Sequence, residues 1–255
     1  MYEQPKGPQS IGAVLDSGFA LFAASFKQTF HIAAAVALLT APLALLGQLA
    51  AVARTDAAET WFALALALFV VIAFTGMGTI IARIDAVASG RELSLGAALR
   101  IGFARVVLLS LCTVIVVVAT ITGFVLLIVP GLVLIIYVMF APYLVVTNRL
   151  GPLASIGYSV RLVRGHWWRT AAIVTIIGAI ALALYSVLSI LLAVAVATNP
   201  EAIAAGRMPW YINFVVSPLV SAVATPLGYS LLIGVLHDLE LRYRGDDLAA
   251  RIATA

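Results

Sequence analysis

What this sequence has least of is charge. Only 10% of its 255 residues are Asp, Glu, Lys or Arg, against about a quarter in an ordinary soluble domain. Between Arg105 and Arg149 there is no charged residue at all. The one cysteine, Cys112, excludes an internal disulfide. It lies in an apolar block with no His or acid near it in sequence, the setting of a small hydrophobe rather than of a ligand or nucleophile. The acids fall mostly in polar connections and the tail, and His31, His166 and His237 are far apart along the chain. Nothing gathers the acids and histidine that metal-dependent hydrolysis needs, so no catalytic group, metal or cofactor is expected. No Asp, Glu, Lys or Arg lies deep in an apolar block, which argues against proton- or sodium-coupled transport through intramembrane ionisable groups. A net charge of +4 argues against nucleic acid as a partner.

What is there is hydrocarbon. Hydrophobic residues make up 64% of the chain and the mean hydropathy is +1.14. Apolar blocks of about 18 or more residues without charge read as membrane spans. They are expected near 30–52, 61–82, 106–128, 131–147, 169–197 and 212–236, in a single integral membrane domain, with a polar tail over 237–255. The small-x-small triplet Ala51-Val52-Ala53 has the form of a signal cleavage site, but no short basic start and short apolar stretch precede it.

The topology turns on Leu126-Leu127-Ile128-Val129-Pro130-Gly131-Leu132, where a Pro-Gly pair interrupts an apolar run. Proline lacks an N–H and clashes with the preceding helical turn, and glycine accepts the positive φ that ends a helix. Read as a turn, Pro130-Gly131 gives six spans. It then puts Lys6, Lys27, Arg83, Arg91, Arg100, Arg105, Arg149, Arg161, Arg164, Arg169, Arg242, Arg244 and Arg251 on one side, 13 of the 15 basic residues, leaving Arg54 and Arg207 opposite. Read as a kink, it gives five spans and the bias largely collapses. Loops rich in Lys and Arg face the cytoplasm, so the turn is preferred and both termini are expected there. Gly123 is an alternative break point that would lengthen the short arm 132–147. An apolar turn is expected either to pack against protein or to reach the far interface.

The sequence also repeats itself. Ser10-Ile11-Gly12-Ala13-Val14-Leu15-Asp16-Ser17-Gly18-Phe19-Ala20 aligns without gaps on Ser94-Leu95-Gly96-Ala97-Ala98-Leu99-Arg100-Ile101-Gly102-Phe103-Ala104, seven of the eleven positions being identical. Ile156-Gly157-Tyr158-Ser159 is a weaker third copy. Each copy precedes two spans. Ser10 and Ser94 are candidate N-caps and Pro152 a candidate first helical residue. Ile11, Leu15, Phe19, Phe22 and Phe26 share one helical face, as do Leu95, Leu99 and Phe103. Such helices belong in the membrane interface. The expected unit is an interfacial amphipathic helix followed by a transmembrane hairpin, repeated over about 10–82, 94–147 and 152–236 around a pseudo-threefold axis along the membrane normal. Independent helices of similar composition are the alternative.

Gly123-Phe124-Val125-Leu126-Leu127-Ile128-Val129-Pro130-Gly131 with Ala141-Pro142 resembles the core of the bacterial YciC-like (UPF0259) inner-membrane proteins, a core also found in the membrane domain preceding some glycerophosphodiester phosphodiesterases. Ser159-Val160-Arg161-Leu162, Gly165 and Trp168-Arg169 are similar to that family's S-x-R-L-x-x-G-x-x-W-R element. Asp238-Leu239, Arg242, Gly245 and Asp247-Leu248 are similar to its D-L-x-x-R…G-x-D-L ending. The resemblance covers about residues 10–248 and implies a multi-pass bacterial inner-membrane protein. The sequence departs from it in two places. Thr147-Asn148 stands where the family commonly has an acid, and Glu240 with Arg244 reverses a basic-then-acidic pair.

The functional expectation follows from these parts. Arg100, Arg105, Arg161, Arg164 and Arg169 are candidate contacts for anionic lipid head groups. Ser217, Ser221, Thr225 and Tyr229, with Pro218 and Pro226, mark the last span as either a solute path or a close-packing face, and Thr75-Gly76-Met77-Gly78-Thr79 poses the same choice. The reading favoured is a non-enzymatic membrane protein that organises lipids or envelope protein partners. The alternatives are a channel or carrier for a lipid-like or uncharged solute, and an accessory membrane subunit of a separate enzyme.

Overall fold

Every regular element in the computed structural model, which describes residues 2–5, 7–53, 56–198 and 212–253, is a helix. In chain order these are α1 (Ile11–Ala53), α2 (Asp56–Ala88), α3 (Leu95–Ala104), α4 (Val106–Leu126), α5 (Ile128–Val138), α6 (Ala141–Thr147), α7 (Pro152–Val163), α8 (Trp167–Thr198) and α9 (Ser217–Ala253), the last entered through a π-helical turn at Ile212–Val216. Six stretches are long and apolar enough to cross a membrane: Ile11–Leu43, Ala57–Ala88, Val106–Leu126, Ile128–Thr147, Trp167–Leu191 and Phe214–Gly245. Their number is the one expected and each overlaps an expected span, but the first lies earlier than the expected 30–52, beginning at Ile11 and ending at Leu43. Arg54 and Arg207 lie outside the described residues.

Local chemistry explains most of the boundaries. Ser94 is extended and its Oγ accepts from the Ala97 amide at 3.3 Å, opening α3. Ser10 does the same for α1, with the Ala13 amide at 3.3 Å. Pro152 opens α7 where no amide is needed. Gly90, at φ 64°, turns the chain after α2, and Gly165, at φ 87°, turns it before α8.

Two expectations are corrected. Residues 10–27 do not form a helix of their own before a first span, because α1 runs unbroken from Ile11 to Ala53. Nor is the turn after α4 at Pro130-Gly131. It falls at Leu127, whose backbone is extended at φ −164° and ψ 151°. Pro130 then sits in the first turn of α5, where its missing N–H costs nothing, and the Gly131 amide reaches back to the Leu127 carbonyl at 3.3 Å. Gly131 serves packing instead of reversal. A Cβ there would lie 2.5 Å from the Phe124 ring, and one on Gly123 would lie 3.0 Å from the Gly131 Cα. The turn is apolar and open, with Leu126, Leu127, Ile128 and Val129 all exposed. At 1.5 Å per residue the 21 residues of α4 cover about 32 Å, the thickness of a bilayer's hydrocarbon core.

The core joins α1, α2, α6 and α9, with contributions from α4, α7 and α8. It includes Leu21, Ile80, Ile81, Ile84, Leu109, Phe140, Leu144, Leu231, Ile233 and Leu236, all essentially inaccessible. The outer half of α8 is different. Leu182, Tyr185, Val187, Ile190, Leu191 and Val194 are exposed. A bilayer supplies the apolar surroundings such a surface needs, since hydrocarbon tails solvate leucine as well as a protein interior does.

Candidate functional site

The polar chemistry gathers at one end of the bundle. Asp238 stands where α9 leaves its apolar stretch and is only 1% exposed. Its Oδ1 accepts from the Gln9 amide at 2.8 Å. Its Oδ2 accepts from Arg169 Nη1 at 2.6 Å and from Arg242 Nε at 2.9 Å. The same two guanidiniums each donate a second bond, both at 2.6 Å, to the Gln9 carbonyl. The Ser17 hydroxyl donates to the Gln9 side chain at 2.9 Å. One carboxylate thus ties the segment before α1, the first turn of α8 and the last part of α9 together. Both its oxygens are engaged and two cations face it, so it acts as a brace.

Lesser ties surround it. Asp85 pairs with exposed Arg91 at 2.7 Å and lies 3.7 Å from His237 Nε2. Arg83 donates to Gln28 at 3.0 Å. Asn148 Nδ2 donates to Glu240 at 3.1 Å. The Ser159 hydroxyl donates to the Tyr137 carbonyl at 2.6 Å, meeting one of the acceptors left over where α5 ends. Tyr158 stacks edge-on against Tyr243 and lies beneath the Arg161 guanidinium. Burial, with Glu240 nearby, pushes its phenol above the usual value.

The candidate head-group arginines divide. Arg100, Arg161 and Arg164 are exposed on or beside α3 and α7. Arg105 is half-buried and donates to the Arg149 carbonyl at 3.3 Å. Arg169 is drawn inward to Asp238. Trp168, beside it, is 82% exposed, while Trp167 donates to the Val133 carbonyl at 3.4 Å.

In the last span, Thr225 and Tyr229 line a cavity of about 330 Å³ between α6, α8 and α9, together with Tyr143, Ile177, Leu184 and Tyr185. Ser217 and Ser221 are not part of its wall. The segment Thr75–Thr79 is a packing face. A Cβ on Gly76 would lie 2.2 Å from a Val36 methyl, and one on Gly78 would lie 2.8 Å from the Gly102 Cα. Among the described residues no three His, Cys, Asp or Glu side chains group as metal ligands. Cys112 is buried and free.

Sequence reasoning did not find Gln9, or that Asp238 is the shared acceptor. Two signals pointed there. Asp238 and Arg242 are spaced i, i+4, and Trp168-Arg169 belongs to the other motif. The partner backbone at Gln9 leaves no signal, since a peptide group is the same at every position. The chain matches no family model, no curated protein and no solved structure.

Proposed function

We propose that this chain is a non-enzymatic, multi-pass protein of a bacterial inner membrane, with both termini cytoplasmic, that organises bilayer lipids or envelope partners through the helices at its charged end. The observation that carries this reading is the double character of α3. Its Ala98 and Gly102 are buried on α2, while Leu95, Leu99 and Phe103 are exposed beside exposed Arg100. A helix with greasy and cationic residues turned away from its own protein suits the boundary between acyl chains and head groups.

The threefold repeat is part of the proposal, and burial supports it. In the aligned copies Val14, Ala98 and Ser159 are all buried, as are Gly18, Gly102 and Val163, whereas Asp16, Arg100 and Arg161 are all exposed. The partners follow suit. Gly18 packs on Leu231 and Gly234 of α9, Gly102 on Thr75 and Thr79 of α2, and Ser159 on Tyr137 of α5. Each copy thereby leans on the second arm of the hairpin before it, with the third hairpin supporting the first copy, as a ring of three units requires. In the first unit the interfacial segment is continuous with its span. Gln9 bonds to Asp238 and Gln28 to Arg83, while Asp85 and His237 of the same two helices face each other. The start of α1 therefore straddles the α2–α9 junction.

Kinship with YciC-like proteins is proposed on the same footing. Its two downstream elements meet, through Arg169, Asp238 and Arg242. Its two departures also meet, as Asn148 and Glu240. An amide facing a carboxylate there keeps a hydrogen bond where two acids would repel.

A second reading, a carrier for a lipid-like solute, draws on the cavity beside Thr225 and Tyr229. Two experiments bear on these proposals. A reporter enzyme fused after Asn199 is expected to read extracytoplasmic, and activity in the cytoplasm would overturn the six-span orientation. Protein extracted with its surrounding lipids, then analysed by mass spectrometry, is expected to carry more anionic lipid than the bulk membrane. An unenriched lipid shell, with no co-purifying partner, would sink the organising role.

A further inference from the structure

We infer that the groove between α1, α2 and α3 is a binding site for one anionic phospholipid, which lays an acyl chain in the groove and sets its phosphate at Lys27 and His31. This rests on the lipid-organising reading above and gives it a place. The groove holds about 350 Å³ and its walls include Ala35, Leu39, Val71, Ile72, Leu95 and Leu99. Leu39, Val71, Leu95 and Leu99 are exposed, so the groove opens sideways to the bilayer. Only two of its lining residues, His31 and Thr75, have polar side chains.

Charge identifies the occupant. Lys27 precedes His31 by one helical turn on the same face of α1, and both are exposed. Arg100 follows Leu99 on α3 and is exposed. Neither Lys27 nor Arg100 has an ion pair or hydrogen bond within the described residues, unlike Arg83, Arg91, Arg105, Arg169 and Arg242 at the same end. The Thr75 hydroxyl is buried and also lacks a hydrogen-bond partner. Gly76, next to it, faces Val36, five residues beyond His31 and so about 7 Å deeper along α1. A phospholipid carries its groups in that order: an anionic phosphate outermost, at the level of Lys27 and His31, and hydrocarbon below, along the apolar walls of the groove.

The test uses full-length protein in mild detergent, offered phosphatidylglycerol or phosphatidylcholine and read by native mass spectrometry, with folding checked by size exclusion. Wild type is expected to retain one phosphatidylglycerol in preference to phosphatidylcholine. Lys27→Ala is expected to weaken retention about fivefold, the equivalent of one interfacial charge. Ala35→Phe, which fills the groove from an exposed position, should abolish the selective site, and Arg161→Ala on α7 should leave it intact. Retention in Lys27→Ala and Ala35→Phe equal to wild type would overturn the site while leaving the lipid-organising role standing. Equal uptake of the two lipids by wild type overturns the charge assignment, and no retention of either lipid by wild type brings down the broader reading as well.

Discussion

Asp238→Ala is expected to destabilise the protein by about 3 kcal/mol, the scale of removing one partner from a buried ion cluster. The side chain is 1% exposed and its partners Arg169 and Arg242 are 19% and 20% exposed. Without the carboxylate the two guanidiniums face each other across the Gln9 carbonyl with no anion between them, and the Gln9 amide loses its acceptor. The loss is read as earlier unfolding on heating in detergent, with Arg91→Ala as the contrast. Arg91 is 63% exposed where it meets Asp85, and exposed pairs contribute about 0–1 kcal/mol. A stronger check is compensation. Asp238→Leu combined with Arg169→Met and Arg242→Met removes every charge together, and is expected to recover only part of the loss, with about 1 kcal/mol remaining for each of the Gln9 amide and the Gln9 carbonyl, both left unpaired. Wild-type stability in Asp238→Ala would mean that the cluster braces nothing.

Much of the architecture was legible because the bilayer imposes a simple rule on sequence. Blocks without charge are long, and their ends are marked by arginine and tryptophan. The six spans, the caps at Ser10 and Ser94 and the helix start at Pro152 could be read from residue types alone. The position of the middle turn could not. A Pro-Gly pair satisfies both a turn and the first turn of a helix, and only the backbone at Leu127 distinguishes them. The continuity of α1 was hidden for a related reason. An amphipathic helix and an apolar one can join without any breaker, and residues 27–30, Lys-Gln-Thr-Phe, contain none.

The candidate site was legible in pieces. The basic bias put the arginines at one end, but did not separate those that brace the protein from those left exposed. That separation depends on where acids and carbonyls from distant segments arrive. Arg169 and Arg100 look alike in sequence. One is 69 residues from the aspartate that claims it, and the other has no such partner among the described residues.

Gly102→Val is expected to release α3 from the bundle. A Cβ on Gly102 would lie 2.4 Å from the Thr75 carbonyl oxygen, 2.5 Å from Thr79 Oγ1 and 2.9 Å from the Thr79 amide nitrogen. Two of these are backbone atoms inside α2, so no rotamer change can relieve the contact. Overpacking of a core usually costs about 1–3 kcal/mol, and here the helix is only 10 residues long and can lift away more cheaply than α2 can bend. Trypsin is expected to cut at Arg100 and Arg105 far faster in the variant, while the heat stability of the remaining bundle falls less. Gly96→Ala is the matched control. It lies in the same helix, nothing approaches within 4 Å of its Cβ position, and alanine favours helix over glycine by about 1 kcal/mol. At the equivalent position in the first copy, a Cβ on Gly18 would meet the end of the Leu231 side chain at 2.9 Å and its Cα at 3.1 Å. Gly18→Val should therefore cost less than Gly102→Val, because part of the obstruction is a flexible side chain. If Gly102→Val resists trypsin as well as Gly96→Ala does, α3 is not held by this contact and the exposed stripe of Leu95, Leu99 and Phe103 is not fixed in place by α2.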